Sequence, residues 1–289
     1  MKIKPRDFRL AGREKIRLKR MATDIRRFYR SEKHYKELLA ADVGELSALQ
    51  RLLDASSVYS VLIIFQGMDA AGKDGAISHV LSGVNPQGCE VHSFKQPSAE
   101  ELEHDFLWRT SRRLPARGRI GIFNRSYYEE VLITRVHPEI LSSERVPEGL
   151  AARRSFWRGR FRSIADIEKH LHRNGTRIIK FFLHISKEEQ RRRFLERINE
   201  PYKNWKFSRS DAVERRFWGQ YMDAYGDCLA ATSTKAAPWY LVPADDKLNA
   251  RLIISRIVIE TLKGLRLGYP RMTGARRREL REIRRQLRK

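Results

Sequence analysis

The stretch Val61–Gly75, VLIIFQGMDAAGKDG, decides the fold. VLIIF is an apolar run of strand length, and a glycine turn follows it directly. Gly67, Gly72 and Lys73 fit the phosphate-loop spacing Gly-x-x-x-x-Gly-Lys, and the residues from Lys73 to about Leu81 read as the helix that such a loop opens. Backbone amides of a turn and a helix N-terminus hold phosphate oxygens, and a lysine there adds a point charge. Gly67, Ala70, Ala71, Gly72, Lys73 and Asp74 are therefore the expected phosphate-binding residues. A glycine-rich turn without ligand is the weaker reading, because a lysine at this place has no packing use. The pattern fails at its last position. A hydroxyl that helps hold magnesium is expected after Lys73, and Asp74 stands there instead, with a second carboxylate, Asp69, inside the loop.

Outward from this loop, strands and helices alternate. A strand is expected over roughly Val58 to Gln66, with further strands at CEVHSF (89–94), RIGIFN (119–124), TRIIKFFLHI (176–185) and PWYLVP (238–243). Between them lie helical patterns over 98–114, opened by a capping box of Ser98 and Glu101, and over 155–175, stopped by Asn174-Gly175. Helices are also expected over 186–200, with a second capping box of Ser186 and Glu189, over 212–233 and over 249–265. SYYEEVLITRV (126–136) looks helical, and 137–149 is an irregular excursion. Five apolar strands with helical crossovers predict an α/β fold: a five-stranded parallel sheet in a three-layer α/β/α sandwich, with ligands at the carboxyl ends of the strands. Residues 1–57 read as a basic, mostly helical N-terminal extension, 58–268 as the domain that carries the phosphate loop, and 269–289 as a basic tail.

The chain has 289 residues and a formal net charge of +24 from 59 Lys+Arg against 35 Asp+Glu. That excess predicts an anionic partner: nucleic acid, anionic lipid or a polyanionic substrate. The stretch from Arg266 holds ten basic and two acidic residues, and the rest of the chain stays strongly basic without it. No apolar run is long enough for a membrane span; the basic N-terminus lacks an apolar stretch behind it, so no secretory signal is expected, and Asp7 and Glu14 weigh against an amphipathic transit peptide. Cys89 and Cys228 belong to no metal or redox spacing and are expected as reduced thiols, which points to the cytoplasm.

The carboxylates bear on metal binding. The strand-end aspartate that usually accompanies a phosphate loop is expected in IGIFN, which finishes in Asn124. A hard cation needs oxygen ligands, so Asp69 is the expected anionic ligand and Asn124 can offer a neutral carbonyl. A rival role for Asp69 is general base, and Asp74 can equally be a first-turn acid favoured by the helix dipole. Arg125 stands beside the loop at a strand end, where a guanidinium can clamp phosphate. Glu129 and Glu130 follow as candidates for a second metal or the acceptor, or else as exposed helix acids. Residues 187–210 read as a basic lid. Its helix carries Arg191, Arg192, Arg193 and Arg197, and Lys203, Lys206 and Arg209 lie on the loop, with Trp205 packing the loop when closed. Such a segment can supply charge in the transition state and exclude water.

FQGMDAAGKDGAI (65–77), GVNPQGCEVHSFKQPS (83–98), HDFLWR (104–109), GIFNRSYYEEVLITRVHPE (121–139) and NEPYKNWKFS (199–208) together resemble the second polyphosphate kinase family, the polyphosphate:nucleotide phosphotransferases. The resemblance runs from about Arg13 to Gly268. It implies a P-loop kinase fold similar to thymidylate kinase with a helical lid. It also implies transfer of a phosphoryl group between inorganic polyphosphate and nucleoside mono- or diphosphates, with magnesium, for which manganese can substitute. Many relatives carry aspartate at the position of Asn124, and FNRSYYEEVL resembles the branch accepting AMP as well as ADP. The resemblance further implies catalytic roles for Asp69, Lys73, Arg125, Arg193 and Arg197, phosphate binding by Lys203 and Lys206, and a dimer or tetramer. Asn85, Phe94, Lys95 and Arg109, with Glu129 and Glu130, are the expected nucleotide-binding residues. The attacking oxygen of a nucleotide phosphate is already ionised, so no base is required, which favours Asp69 as metal ligand. Two rival readings remain: an ATP-dependent nucleotide kinase of similar fold, and a nucleic-acid-binding P-loop protein. No base-reading motif supports the second, and no membrane partner is expected.

Overall fold

The computed structural model describes residues 2–12 and 14–288; the side chain of Lys206 lies outside the described residues. Five strands, β1 (Ser60–Gln66), β2 (Cys89–Ser93), β3 (Ile120–Asn124), β4 (Thr176–His184) and β5 (Trp239–Pro243), form one sheet in the order β2-β3-β1-β4-β5. Every pairing is parallel. All residues of β1, β3 and β5 are buried, which is why they read as continuous apolar runs rather than alternating ones. β2 is an edge strand and half exposed.

Seven longer helices are named here: α1 (Glu32–Ser56), α2 (Lys73–Val80), α3 (Phe156–Arg173), α4 (Lys187–Asn199), α5 (Trp218–Thr232), α6 (Lys247–Gly264) and α7 (Gly274–Gln286). α1, α2 and α6 pack together, and α3 packs with α5 and against β4. The N-terminal segment is stitched to the body. The Leu10 amide donates to the Trp239 carbonyl at 2.9 Å, Leu18 is buried, and Thr23 donates to Asp245 at 2.7 Å.

A polar cluster around Lys180 lies inside the apolar core. Lys180 of β4 is fully buried, with its Nζ 2.6 Å from Glu168 of α3 and 2.9 Å from the Tyr128 hydroxyl; it also donates to the Thr232 carbonyl at 2.8 Å. Burial pulls the lysine pKa down while Glu168 pulls it up. The glutamate accepts from both Tyr127 and Tyr128, so no charge in the cluster lacks a partner.

Three expected helices differ. The span 98–114 is two short helices, Ala99–Leu102 and Trp108–Ser111. The Ser98–Glu101 capping box is present, and Asp105 accepts from the Leu107 amide, restarting the chain. Residues 126–136 form a 3-10 turn, Tyr127–Val131, and one short α-turn, Ile133–Val136. The span 212–233 is broken by a 3-10 turn at Arg215–Phe217. Only half of the second capping box forms: Ser186 accepts from the Glu189 amide, while the Glu189 carboxylate turns to Arg192 and Arg193.

Candidate functional site

The loop between β1 and α2 lies at the carboxyl end of the central strand. The register pairs Phe65 of β1 with Asn124 of β3, and Asn124 with Ser93 of β2. This brings the loop, Asn124-Arg125 and Phe94-Lys95 to one edge of the sheet. The loop requires its glycines. Gly67 has φ +154°, and a Cβ there would lie 2.8 Å from the Leu183 carbonyl oxygen; Gly72 has φ +99°. Ala70 and Arg125 also sit in the left-handed region, at φ +63° and +64°. Non-glycine residues are strained in that conformation, and it concentrates at functional sites.

Around this edge opens a cleft of about 920 Å³. The loop residues Asp69 to Ala76 form its floor, with Phe94 and Lys95 on one wall and Asn124 and Arg125 beside them. Arg193, Arg197, Lys203 and Trp205 border it from the far side, and Lys247 and Arg251 from α6. Basic residues outnumber carboxylates in the lining, as a polyanion site requires.

Lys73 is buried, and its ammonium donates to the carbonyls of Gly67 at 2.7 Å and Met68 at 3.3 Å. Desolvation, reinforced by Arg125, pulls its pKa down to about 8. Asp69 accepts from Arg125 at 2.7 Å through Oδ1, and Arg125 also reaches Glu129 at 3.5 Å. Glu129 and Asp69 hold the guanidinium firmly protonated against the cost of burial. The Asn124 amide donates to the Asp74 carboxylate, which leaves the amide oxygen as an acceptor. The charge usually found at the strand end has thus moved onto the helix, and the neutral group stands on the strand.

Among the described residues no cluster of three or more histidine, cysteine, aspartate or glutamate side chains could hold a metal. Asp69, Asp74 and Asn124 do share the lining of the cleft, and they bring two carboxylates and an amide carbonyl to it. Oxygen donors of this kind would suit magnesium, which takes one or two carboxylates and keeps waters and substrate phosphates as its other ligands.

Several expectations are corrected by the geometry. Arg193 is not a lid cation. It is 3% exposed and donates to four backbone oxygens, those of Ala70 (2.8 Å), Ala71 (3.0 Å), Ala244 (2.6 Å) and Asp245 (3.1 Å), besides Glu189. Gln190 donates to the Asp69 carbonyl at 3.0 Å, and its own oxygen accepts from Arg215. Helix α4 therefore braces the phosphate loop through Gln190 and Arg193. Trp205 is 79% exposed; Phe207 packs the segment instead, its ring 5.2 Å from Phe194. Lys203 pairs with Glu200 at 2.6 Å and Arg197 lies over the Phe194 ring. The expected role of Lys206 lies outside the described residues.

On the acceptor side, Phe94 is buried edge-on against Phe123, and Lys95 is exposed at the cleft. Asn85 does not line the cleft; its side chain caps the short turn at Pro86–Gly88. Glu130 is no exposed acid. It is buried and paired with Arg109 at 2.9 Å. Burial and the neighbouring Glu144 push its pKa up, against the pull of Arg109. Arg109 also donates to the Lys95 carbonyl, while its Nε has no partner. Both residues line a second cavity of about 320 Å³, together with His104, Phe106, Glu144 and Arg160.

Sequence reasoning missed Gln190, Asp211, Lys247 and Arg251, all at the loop or cleft. Lys247 and Arg251 are four apart at the start of the helix after β5, a basic pair on one face at a carboxyl strand end. Burial and Arg193 lower the Lys247 pKa, and burial with Asp69 nearby raises that of Asp211.

A family model described as Polyphosphate kinase 2 (PPK2) matches residues 29–267. The chain is 62% identical over 287 residues to an ADP-polyphosphate phosphotransferase of Rhodopseudomonas palustris, covering 99% of each chain. It is 44% identical over 234 residues to an AMP/ADP-polyphosphate phosphotransferase of Meiothermus ruber, covering 81% of this chain and 83% of that one. The crystal structure of polyphosphate kinase 2 from Arthrobacter aurescens TC1 superposes with a TM-score of 0.84 at 38% identity, over 96% of both chains.

Proposed function

The chain belongs to the polyphosphate kinase 2 family and moves phosphoryl groups between polyphosphate and adenine nucleotides; on that premise we propose that it does so reversibly, with magnesium, with ADP as acceptor and AMP as a second. The observation that carries this reading is the cationic cleft built on the phosphate loop. Polyphosphate lies along Lys73, Arg197, Lys203 and Lys247, and its terminal phosphoryl group rests on the loop amides and the N-terminus of α2. Lys73 leaves the carbonyls of Gly67 and Met68 and turns its ammonium to the transferring group. The acceptor nucleotide enters past Lys95, with its nucleoside end toward the second cavity, where the unpartnered Arg109 Nε offers a donor.

The acceptor oxygen is already ionised, so no residue need remove a proton. The chain's work is in-line positioning and charge stabilisation. Arg125, pinned between Asp69 and Glu129, presents its guanidinium to the oxygens of the transferring group. Asp69, with Asp74 and the Asn124 carbonyl, would hold magnesium, which when bound draws charge from the phosphoryl oxygens. One phosphoanhydride replaces another, so the reaction is close to balanced and runs both ways. Both cysteines are free thiols, in keeping with a reducing compartment, and we place the reaction in the cytoplasm. No helix among the described residues is long and apolar enough to cross a membrane. A dimer or tetramer is inferred from the family resemblance, and sedimentation equilibrium checks it.

The test is phosphoryl transfer from polyphosphate to ADP, AMP, GDP and GMP, with magnesium and with chelator, and with ATP as the alternative donor. ATP formation from ADP that needs magnesium and polyphosphate supports the reading. Transfer to AMP from ATP but not from polyphosphate overturns it.

A further inference from the structure

The family match ends at Leu267, yet the chain continues into a well-formed helix. Every residue of 268–288 is exposed, and α7 buries nothing. Its N-terminus is capped by Thr273, which accepts from the Arg276 amide. Turning by about 100° per residue, the helix gathers Arg277, Arg278, Arg281, Arg284 and Arg285 onto one face. Glu279, Glu282 and Gln286 share another side. Among the described residues, Arg276 pairs with Glu279 at 2.6 Å, and none of the five facial arginines makes an ion pair. Arg281 has like charges three and four positions away in both directions, which disfavours the helix unless an anion covers the face.

We propose that this arginine face is an accessory binding surface for inorganic polyphosphate, engaging phosphates beyond those the cleft holds; the proposal rests on the polyphosphate reading above. The occupant follows from charge and chemistry. A linear polyanion carries a charge on every phosphate, and its binding to such a row releases counterions. Every cation from Gly274 to Leu287 is arginine and none is lysine, and the planar guanidinium fork matches phosphate oxygens. The helix has no aromatic side chain, so it offers single-stranded nucleic acid no stacking platform. Its apolar stripe, Leu280, Ile283 and Leu287, has Arg276 in its middle, which a face lying in a bilayer interface would not carry. Tethered to the catalytic body, the helix raises the local concentration of any chain long enough to reach both places.

The test uses the full-length protein with Arg277, Arg278, Arg281, Arg284 and Arg285 all changed to glutamine, a good helix former. With ADP fixed, the KM for long-chain polyphosphate rises about tenfold, while kcat and the KM for tripolyphosphate stay as in the unaltered protein. In the unaltered protein, the advantage of the long donor shrinks as salt is raised. An unchanged KM for the long donor overturns the proposal. So does an equal loss for both donors, since the helix would then act through the cleft. Equilibrium binding of fluorescent long-chain polyphosphate without nucleotide gives a readout independent of turnover. Weaker binding by the variant supports the accessory surface even if the acceptor assignment fails, and equal binding refutes it. Loss of binding to RNA or to anionic vesicles, with polyphosphate binding retained, also refutes it.

Discussion

Lys73 is both the most costly and the most useful buried cation of the loop, and replacing it with methionine separates the two properties. Its pKa stands at about 8 against an ordinary 10.5. Below pH 8 the folded protein carries a charge that the unfolded chain would hold more comfortably. Between pH 8 and 10.5 the unfolded state binds the extra proton, so stability rises with pH there. Each pKa unit corresponds to about 1.4 kcal/mol. Integrated from pH 7 to pH 9.5, the unaltered protein gains about 2 kcal/mol relative to Lys73→Met. At pH 7 the variant sheds a burial cost of about 3 kcal/mol but leaves the Gly67 and Met68 carbonyls without their donor, at about 1–3 kcal/mol each. The two nearly cancel, so the variant is about as stable as the parent while its phosphoryl transfer is lost. Urea unfolding of both proteins at pH 7 and 9.5, in chelator and without polyphosphate, measures the difference. A stability gap between parent and variant that does not move with pH refutes the argument. In the parent, kcat/KM for polyphosphate should fall as pH rises through about 8, because the free enzyme loses this charge.

Arg193→Met removes all five hydrogen bonds of the brace and should cost about 3–5 kcal/mol in denaturant unfolding, because four carbonyls lose this donor and Glu189 keeps only Arg192. At temperatures where it stays folded, its kcat falls more than its affinity for nucleotide, since the loop rather than the pocket is loosened. Glu168→Gln leaves the fully buried Lys180 with only neutral partners, the Tyr128 hydroxyl and the Thr232 carbonyl among them, and should likewise destabilise by about 3–5 kcal/mol. Combining Glu168→Gln with Lys180→Met should recover much of that loss, as a thermal unfolding series of the single and double variants would show.

The sheet was legible because parallel strands covered on both faces are apolar without interruption, and VLIIF and IGIF announce themselves. The loop was legible because phosphate binding demands glycine at Gly67 and Gly72 for reasons of backbone space. Roles assigned by tertiary contact were hidden. Arg191, Arg192 and Arg193 are identical in sequence, and only the packing of α4 against the loop buries the third while leaving the others exposed and paired with Glu188 and Glu189. Glu129 and Glu130 are adjacent, yet the tight turn at Tyr127–Val131 sends one to Arg125 and the other to buried Arg109. The helix expected at 98–114 failed because local periodicity cannot register that Asp105 caps a new turn.

The claim on which the rest depends is that Asp69 anchors the cation through which polyphosphate is handled at the loop. Asp69→Asn keeps the side chain's shape and removes its charge. Magnesium titration of phosphoryl transfer from polyphosphate to ADP tests it directly: the account predicts that the variant loses turnover, and that any residual rate needs far more magnesium than the parent. Near-normal turnover with an unshifted magnesium dependence would contradict it.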